Sequence, residues 1–268
     1  MSQEYWQRQP ADKPLFPDLL WSRPETKMSA GKLLIIGGNG HGFAAPAEAY
    51  SASLQAGIGA ARVMMPLAVK KLAGKLFETV EYAPSNLSGS FAKNALAELV
   101  STAHWADGVL IAGDLGRNSE TAIVLEKFLG MFKGQVTLVK DAVDYAIEYQ
   151  AANMPHTLMV LTIAQLQKLF IKCAQPTAIT FDMGLMKLVE ALHDFTSNND
   201  LSLIVKQLDQ MIVATGGKVA TMKTEDTLEE SWRVKTAAKA AVWWLQNPTK
   251  PFEALTTSLI QNNLLDCV

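Results

Sequence analysis

Cysteine is scarce in this chain. Cys173 and Cys267 are the two present, and neither stands in a Cys-x-x-Cys or a Cys/His cluster. That excludes the common zinc sites and any disulfide framework, and two reduced thiols in a cytoplasmic protein are the expectation. Basic excess is also missing: 24 Lys and Arg face 26 Asp and Glu, for a net charge of −2. Nucleic acid and membrane surfaces are therefore not expected partners, because nothing is available to meet their phosphates. No apolar run reaches the roughly 18 residues of a membrane span, and residues 1–30 are polar and proline-rich where a leader would be apolar. Four histidines, His41, His104, His156 and His193, show no ligand spacing, so no metal site is expected. No Gly-x-Ser-x-Gly elbow supports a hydrolase triad, and no Gly-x-x-x-x-Gly-Lys-[Ser/Thr] loop supports a P-loop nucleotidase.

What the chain does have is alternation. Apolar runs at Leu33–Ile36, Ala61–Met65, Val80–Tyr82, Val109–Ala112, Val136–Val139 and Leu158–Leu161 read as buried strands. Helical spacing lies between them, as in Leu96, Leu99, Val100 and Ala103. Continuous apolar strands separated by helices predict a mostly parallel sheet covered on both faces. After residue 175 the pattern shifts. A helix over 184–196 precedes Leu201–Lys206, and Met211–Ala214 and Lys218–Met222 flank the turn signal Thr215-Gly216-Gly217. Two helices, 229–246 and 251–262, end the chain. The expectation is a proline-rich N-terminal arm, residues 1–30, and a single α/β domain, residues 31–268. The arm carries Trp6, Phe16 and Trp21, and so is expected to lie on a surface of its own chain or of a partner subunit.

The centre of interest is Lys32 through Ala45, where an apolar strand runs into Gly37-Gly38-Asn39-Gly40-His41-Gly42 and then a small-residue helix. Unpaired amides and the helix dipole at such a turn favour an anion. Gly40 through Ala45 fits the loose dinucleotide pattern Gly-x-Gly-x-x-Ala. The second strand ends Val63-Met64-Met65-Pro66-Leu67, without the acid that would take ribose hydroxyls. Asp114 and Asp141 each follow an expected parallel strand, where open α/β sheets place ligands. Asp114 would hold a sugar or a metal-bound water there, or would cap a turn while Asn118 or Ser119 caps the next helix.

A longer order of motifs resembles a known family. Leu33–Gly38, then Ala45, then Gly57-Ile58-Gly59-Ala60-Ala61-Arg62-Val63 is similar to the start of the ADP/ATP-dependent NAD(P)H-hydrate dehydratases, members of the ribokinase-like superfamily. Ala106-Asp107-Gly108 through Ala112-Gly113-Asp114-Leu115-Gly116-Arg117 resembles that family's AD-x-x-x-x-GPGLG segment, and Val139-Lys140-Asp141-Ala142 its LDADAL. Leu161-Thr162 matches the start of LTPHPGE, and Ile204-Val205-Lys206 the VLKG strand. The resemblance spans roughly residues 32–246. It implies a three-layer α/β/α ribokinase-like fold with an antiparallel edge hairpin, a homo-oligomer, and ADP or ATP with Mg as cofactor. It points to substrate contacts at Gly38, Asn39, His41, Ala45, Gly113, Asp114, Gly116, Arg117 and Asp141 and to a nucleotide contact at Lys206; Arg233 and Lys235 are added as nucleotide contacts on their charge alone.

The chain departs from that family where chemistry is done. The family's GTGD motif supplies an anion hole and a base at the start of the penultimate helix. Here Ser231-Trp232-Arg233-Val234-Lys235 contains neither glycine nor aspartate. Without glycine the backbone cannot approach a phosphate closely, and without a carboxylate no general base is offered. PHPGE is replaced by Ile163-Ala164-Gln165-Leu166-Gln167. Arg233, Lys235 and Lys239 either form a solvated helix face or are the cations that take an anion instead. No catalytic residue is assigned. The expectation is a divergent dehydratase-like protein that binds a nucleotide-like metabolite; the alternatives are a silent structural or interaction protein on the same fold, and a sugar-type kinase.

Overall fold

The structure, a computed structural model, describes residues 4–11, 13–74, 76–150, 154–224 and 232–260. Cys267, Ser231 and the outer residues of three expected helices (151–152, 229–231 and 261–262) lie outside them.

The strands are β1 (Trp6–Gln9), β2 (Lys32–Gly37), β3 (Ala60–Pro66), β4 (Val80–Ala83), β5 (Gly108–Gly113), β6 (Gln135–Val139), β7 (Thr157–Leu161), β8 (Leu201–Gln207), β9 (Gln210–Thr215) and β10 (Lys218–Lys223). The helices are α1 (Asp18–Trp21), α2 (Ala44–Gln55), α3 (Lys70–Ala73), α4 (Leu96–Ala103), α5 (Ser119–Met131), α6 (Asp141–Gln150), α7 (Ile163–Lys172), α8 (Leu185–Asn198), α9 (Trp232–Gln246) and α10 (Pro251–Ser258).

All ten strands join one sheet in the order β1-β10-β9-β8-β7-β6-β5-β2-β3-β4. From β8 to β4 every neighbour is parallel. The apolar runs explain this, since side chains alternate between two covered faces. Leu34, Ile36, Val109, Ile111, Met159 and Leu161 pack on one side with α4 to α8. Leu33, Ile35, Leu110, Ala112, Leu158 and Val160 pack on the other with α2, α9 and α10. The result is the expected three layers. The hairpin β9–β10 turns at Gly216 and Gly217, both with positive φ, and sets β9 antiparallel to β8 and β10.

One strand was not readable in the sequence. β1 runs parallel to β10 as the outermost strand, in the register Trp6↔Val219 to Gln9↔Met222. Its residues have no apolar alternation. It is held by the ladder, by Trp6 Nε1 donating to Thr221 Oγ1 at 3.0 Å, and by Tyr5 stacked on His193 with ring centres 3.7 Å apart.

Candidate functional site

The parallel strands end along one edge, and the sequence's candidate residues collect there. β2, β5 and β6 lie side by side, so the turns after Gly37, Gly113 and Val139 meet. The closeness requires glycine. A Cβ on Gly37 would lie 2.6 Å from the Gly113 carbonyl oxygen, and Gly38 N donates to that oxygen at 3.0 Å. The loop after Gly38 closes on itself: Asn39 and Gly42 exchange backbone hydrogen bonds of 2.9 and 3.0 Å. Gly40 N also donates to Gly89 O at 2.9 Å. Asn39 is the tie between loops. Its Nδ2 donates to Asp114 O at 2.6 Å and its Oδ1 accepts from His41 N at 2.8 Å.

The corner read as an anion cradle already holds an anion, the chain's own. α2 starts without a capping side chain from its own sequence. Asp114, arriving from β5, takes that place: its Oδ2 accepts from Ala45 N at 2.7 Å. Its Oδ1 pairs with Lys140 Nζ at 2.5 Å, and the two side chains are 18% and 33% exposed. Both residues have positive φ, +57° for Asp114 and +58° for Lys140. Such backbone is uncommon outside glycine, and for lysine it persists only where the surroundings hold it. An incoming phosphate at the start of α2 would have to displace Asp114.

Asp141 stands beside this pair. Its Oδ2 accepts from Leu115 N at 2.9 Å, while its Oδ1 is buried with no hydrogen-bond partner among the described residues. Burial raises its pKa above the ordinary carboxylate value; the Leu115 amide pulls it down, the Asp114 charge adds to the rise, and Lys140 opposes it. Tyr145 fixes the loop between Asp114 and α5. Its hydroxyl donates to Gly116 O and accepts from Asn118 N at 3.1 Å. Asn118 in turn caps α5, accepting from Glu120 N and Thr121 N. Gln165, in a capping box with Thr162, donates to Lys140 O and to Asp144 Oδ2, both at 2.8 Å. Gln165 is thus a buried amide that braces the corner.

The structure thus brings Gly38, Asn39, Ala45, Gly113, Asp114, Gly116 and Asp141 into one bonded cluster. His41 is exposed at its rim. Arg117 is exposed and lines a groove over α6 that Asp141 and Tyr145 also line. The three nucleotide candidates stand on β8 and α9. Lys206 is at the end of β8, with its Nζ 6.0 Å from the Trp232 ring centre, and both line a cavity of about 310 Å³ with Thr162, Ile163, Phe181 and Leu208. Lys235 pairs with Glu48 of α2 at 3.8 Å, and Arg233 follows Trp232 in the first turn of α9. Lys239 does not join them. It is turned to the far side, donates to Ile260 O, and burial lowers its pKa to about 8, with the Arg23 charge acting in the same direction. Phe181 was missed in the sequence because it sits in an irregular stretch with no motif.

No family model matches this sequence, and no curated protein matches it. Solved structures do. A ribokinase-like superfamily protein from Enterococcus faecalis V583 superposes with a TM-score of 0.72 at 14% identity, over 97% of this chain and 86% of that one. The fold is ribokinase-like. The ADP/ATP-dependent NAD(P)H-hydrate dehydratase from Bacillus subtilis, co-crystallised with ATP/Mg2+, has a TM-score of 0.65 at 12% identity, over 92% and 86%. Pyridoxal kinase from the same species, in an ADP complex, has 0.57 at 12%, over 85% and 88%. At these identities the likeness is one of fold. The ribokinase-like architecture expected from the motif order is present, with kinases and a dehydratase among the structural neighbours.

Proposed function

We propose that this chain binds a nucleotide or nucleotide-like metabolite at the C-terminal edge of its sheet and does not transfer phosphate. The observation that carries the reading is the cavity at the end of β8. Phe181 and Trp232 offer ring faces to a base, and Lys206 offers a cation to a phosphate within one space of about 310 Å³. Two structural neighbours were crystallised with ATP/Mg2+ or ADP, which supports a ligand of that class.

Loss of transfer follows from the groups around that cavity. The first turn of α9 reads Trp232-Arg233-Val234-Lys235, with no glycine to admit a phosphate and no carboxylate to act as base. Asp114 has both carboxylate oxygens engaged. Among the described residues no three His, Cys, Asp or Glu side chains stand together to hold a metal ion. A Mg ion would therefore arrive on the phosphates of the nucleotide. The homo-oligomer implied by the family resemblance remains part of this proposal and is read by sedimentation velocity.

The test is a thermal-shift titration with ADP, ATP and NADPH, run with an assay of hydrated NADPH plus ATP followed at 340 nm. At least one nucleotide raises the melting temperature, Trp232→Ala abolishes that rise, and absorbance does not recover above the blank. No shift with any of the three overturns the binding reading; recovery at 340 nm overturns the claim of silence.

A further inference from the structure

A larger cavity, about 720 Å³, lies outside this site, along α6 between the start of α5 and the exposed side of α7. We propose that it is a second ligand site, for a nucleoside monophosphate. The proposal does not rest on the reading of the Trp232 cavity.

Three features set the ligand class. At the upper end stands Arg117, exposed and with no hydrogen bond or ion pair among the described residues. A guanidinium fork matches a phosphate with two parallel hydrogen bonds. Ser119 lines the same end and its hydroxyl is a further donor to a phosphate. At the lower end Tyr149 and Ile171 are 45% and 80% exposed, a ring face and an aliphatic wall on facing helices. The Tyr149 ring is the stacking surface for a base, since stacking on an aromatic ring is tolerant of base identity. Between the ends Glu148 is held only at 3.9 Å by Lys172 and keeps acceptor capacity for ribose hydroxyls, while Asp144 is committed to Lys168 at 2.7 Å.

Length agrees with this order. From Asp141 to Tyr149 α6 rises about 12 Å at 1.5 Å per residue, the reach of a nucleoside monophosphate from phosphate to base. The volume lies within the range of pockets for ligands of that size. The site also touches the corner: Asp141 lines it, and Tyr145, which also lines it, holds the loop between Asp114 and α5.

AMP is the probe, titrated calorimetrically into the full chain, with adenosine as the comparison. AMP binds and adenosine binds at least tenfold more weakly. In the Trp232→Ala background, which removes the stacking ring of the β8 cavity, Arg117→Ala and Tyr149→Ala each weaken AMP about tenfold. Arg117→Lys restores part of the affinity lost in Arg117→Ala. AMP binding that responds to Trp232→Ala but not to Arg117→Ala or Tyr149→Ala overturns the second site, as does no AMP binding up to millimolar concentration. Failure of the Trp232 reading shows separately, as absence of a thermal shift with ADP, ATP and NADPH.

Discussion

Two places along one sheet edge have opposite fates. At the β2–β5–β6 corner the groups that would bind an anion are bonded to each other: Ala45 N and Lys140 both hold Asp114. At the end of β8, beside α9, aromatic rings and Lys206 surround open space. Asp114 follows β5 and Lys140 follows β6, so pairing of those two strands brings one ion pair together, and that pair fills the corner. Glycines at a strand end show where a backbone can be approached; they do not show whether something has already approached it.

The largest expected effect comes from emptying the corner. Asp114→Ala removes a cap from α2 and leaves Lys140 without its partner. The loss is about 2–3 kcal/mol from the cap and the charge-assisted bond together, or about 5–10 °C in melting temperature. Asp114→Asn keeps an acceptor for Ala45 N and tolerates the positive φ, so it loses less than half as much. The double change Asp114→Gly with Lys140→Ala removes the ion pair and empties the corner. It should acquire sulfate-dependent stabilisation that the parent chain lacks there. If calorimetry shows equal sulfate response in both, the corner was never closed by Asp114, and the contrast between the two places collapses.

A smaller effect is expected in the open cavity. Trp232→Ala removes a ring that is only partly buried against the α2–α9 side of the core. Affinity for the preferred nucleotide falls about tenfold or more, while the urea midpoint moves little. The reverse pattern, a large loss of stability with unchanged affinity, would make Trp232 a packing residue and the cavity incidental.

Much of this was legible in the chain, and the parts that were not have physical reasons. The inner strands β2 and β5 to β8 announce themselves because both faces are buried, which forces continuous apolar runs such as Leu33–Ile36. Thr215-Gly216-Gly217 announces its hairpin because positive φ needs glycine. β1 is silent because an outer strand is stabilised by its ladder and by single contacts such as Trp6 with Thr221, with no pattern of its own. In the corner, the glycines and both aspartates could be placed from strand ends alone. The Asp114–Lys140 pair could not, because the two residues are 26 positions apart and meet only when β5 and β6 pair. Phe181 gave no signal because irregular chain has no period to read.

The smallest effect is the most specific to the corner. Burial holds the Asp141 pKa above 3.8 in the folded chain. Over the interval between those two values the native state keeps a proton that the unfolded chain has released. Stability therefore falls as pH rises through that interval, the opposite of an ion-paired carboxylate. Asp141→Asn still offers an acceptor to Leu115 N and has no charge to bury, so it lacks this slope. Urea midpoints at pH 4 and pH 7 should show the parent chain losing ground to the variant as pH rises. If the parent instead gains on the variant between pH 4 and pH 7, Asp141 is ionised at a net gain to the fold. Lys140 would then be shared between two carboxylates rather than committed to Asp114, and the corner would be held by a triad.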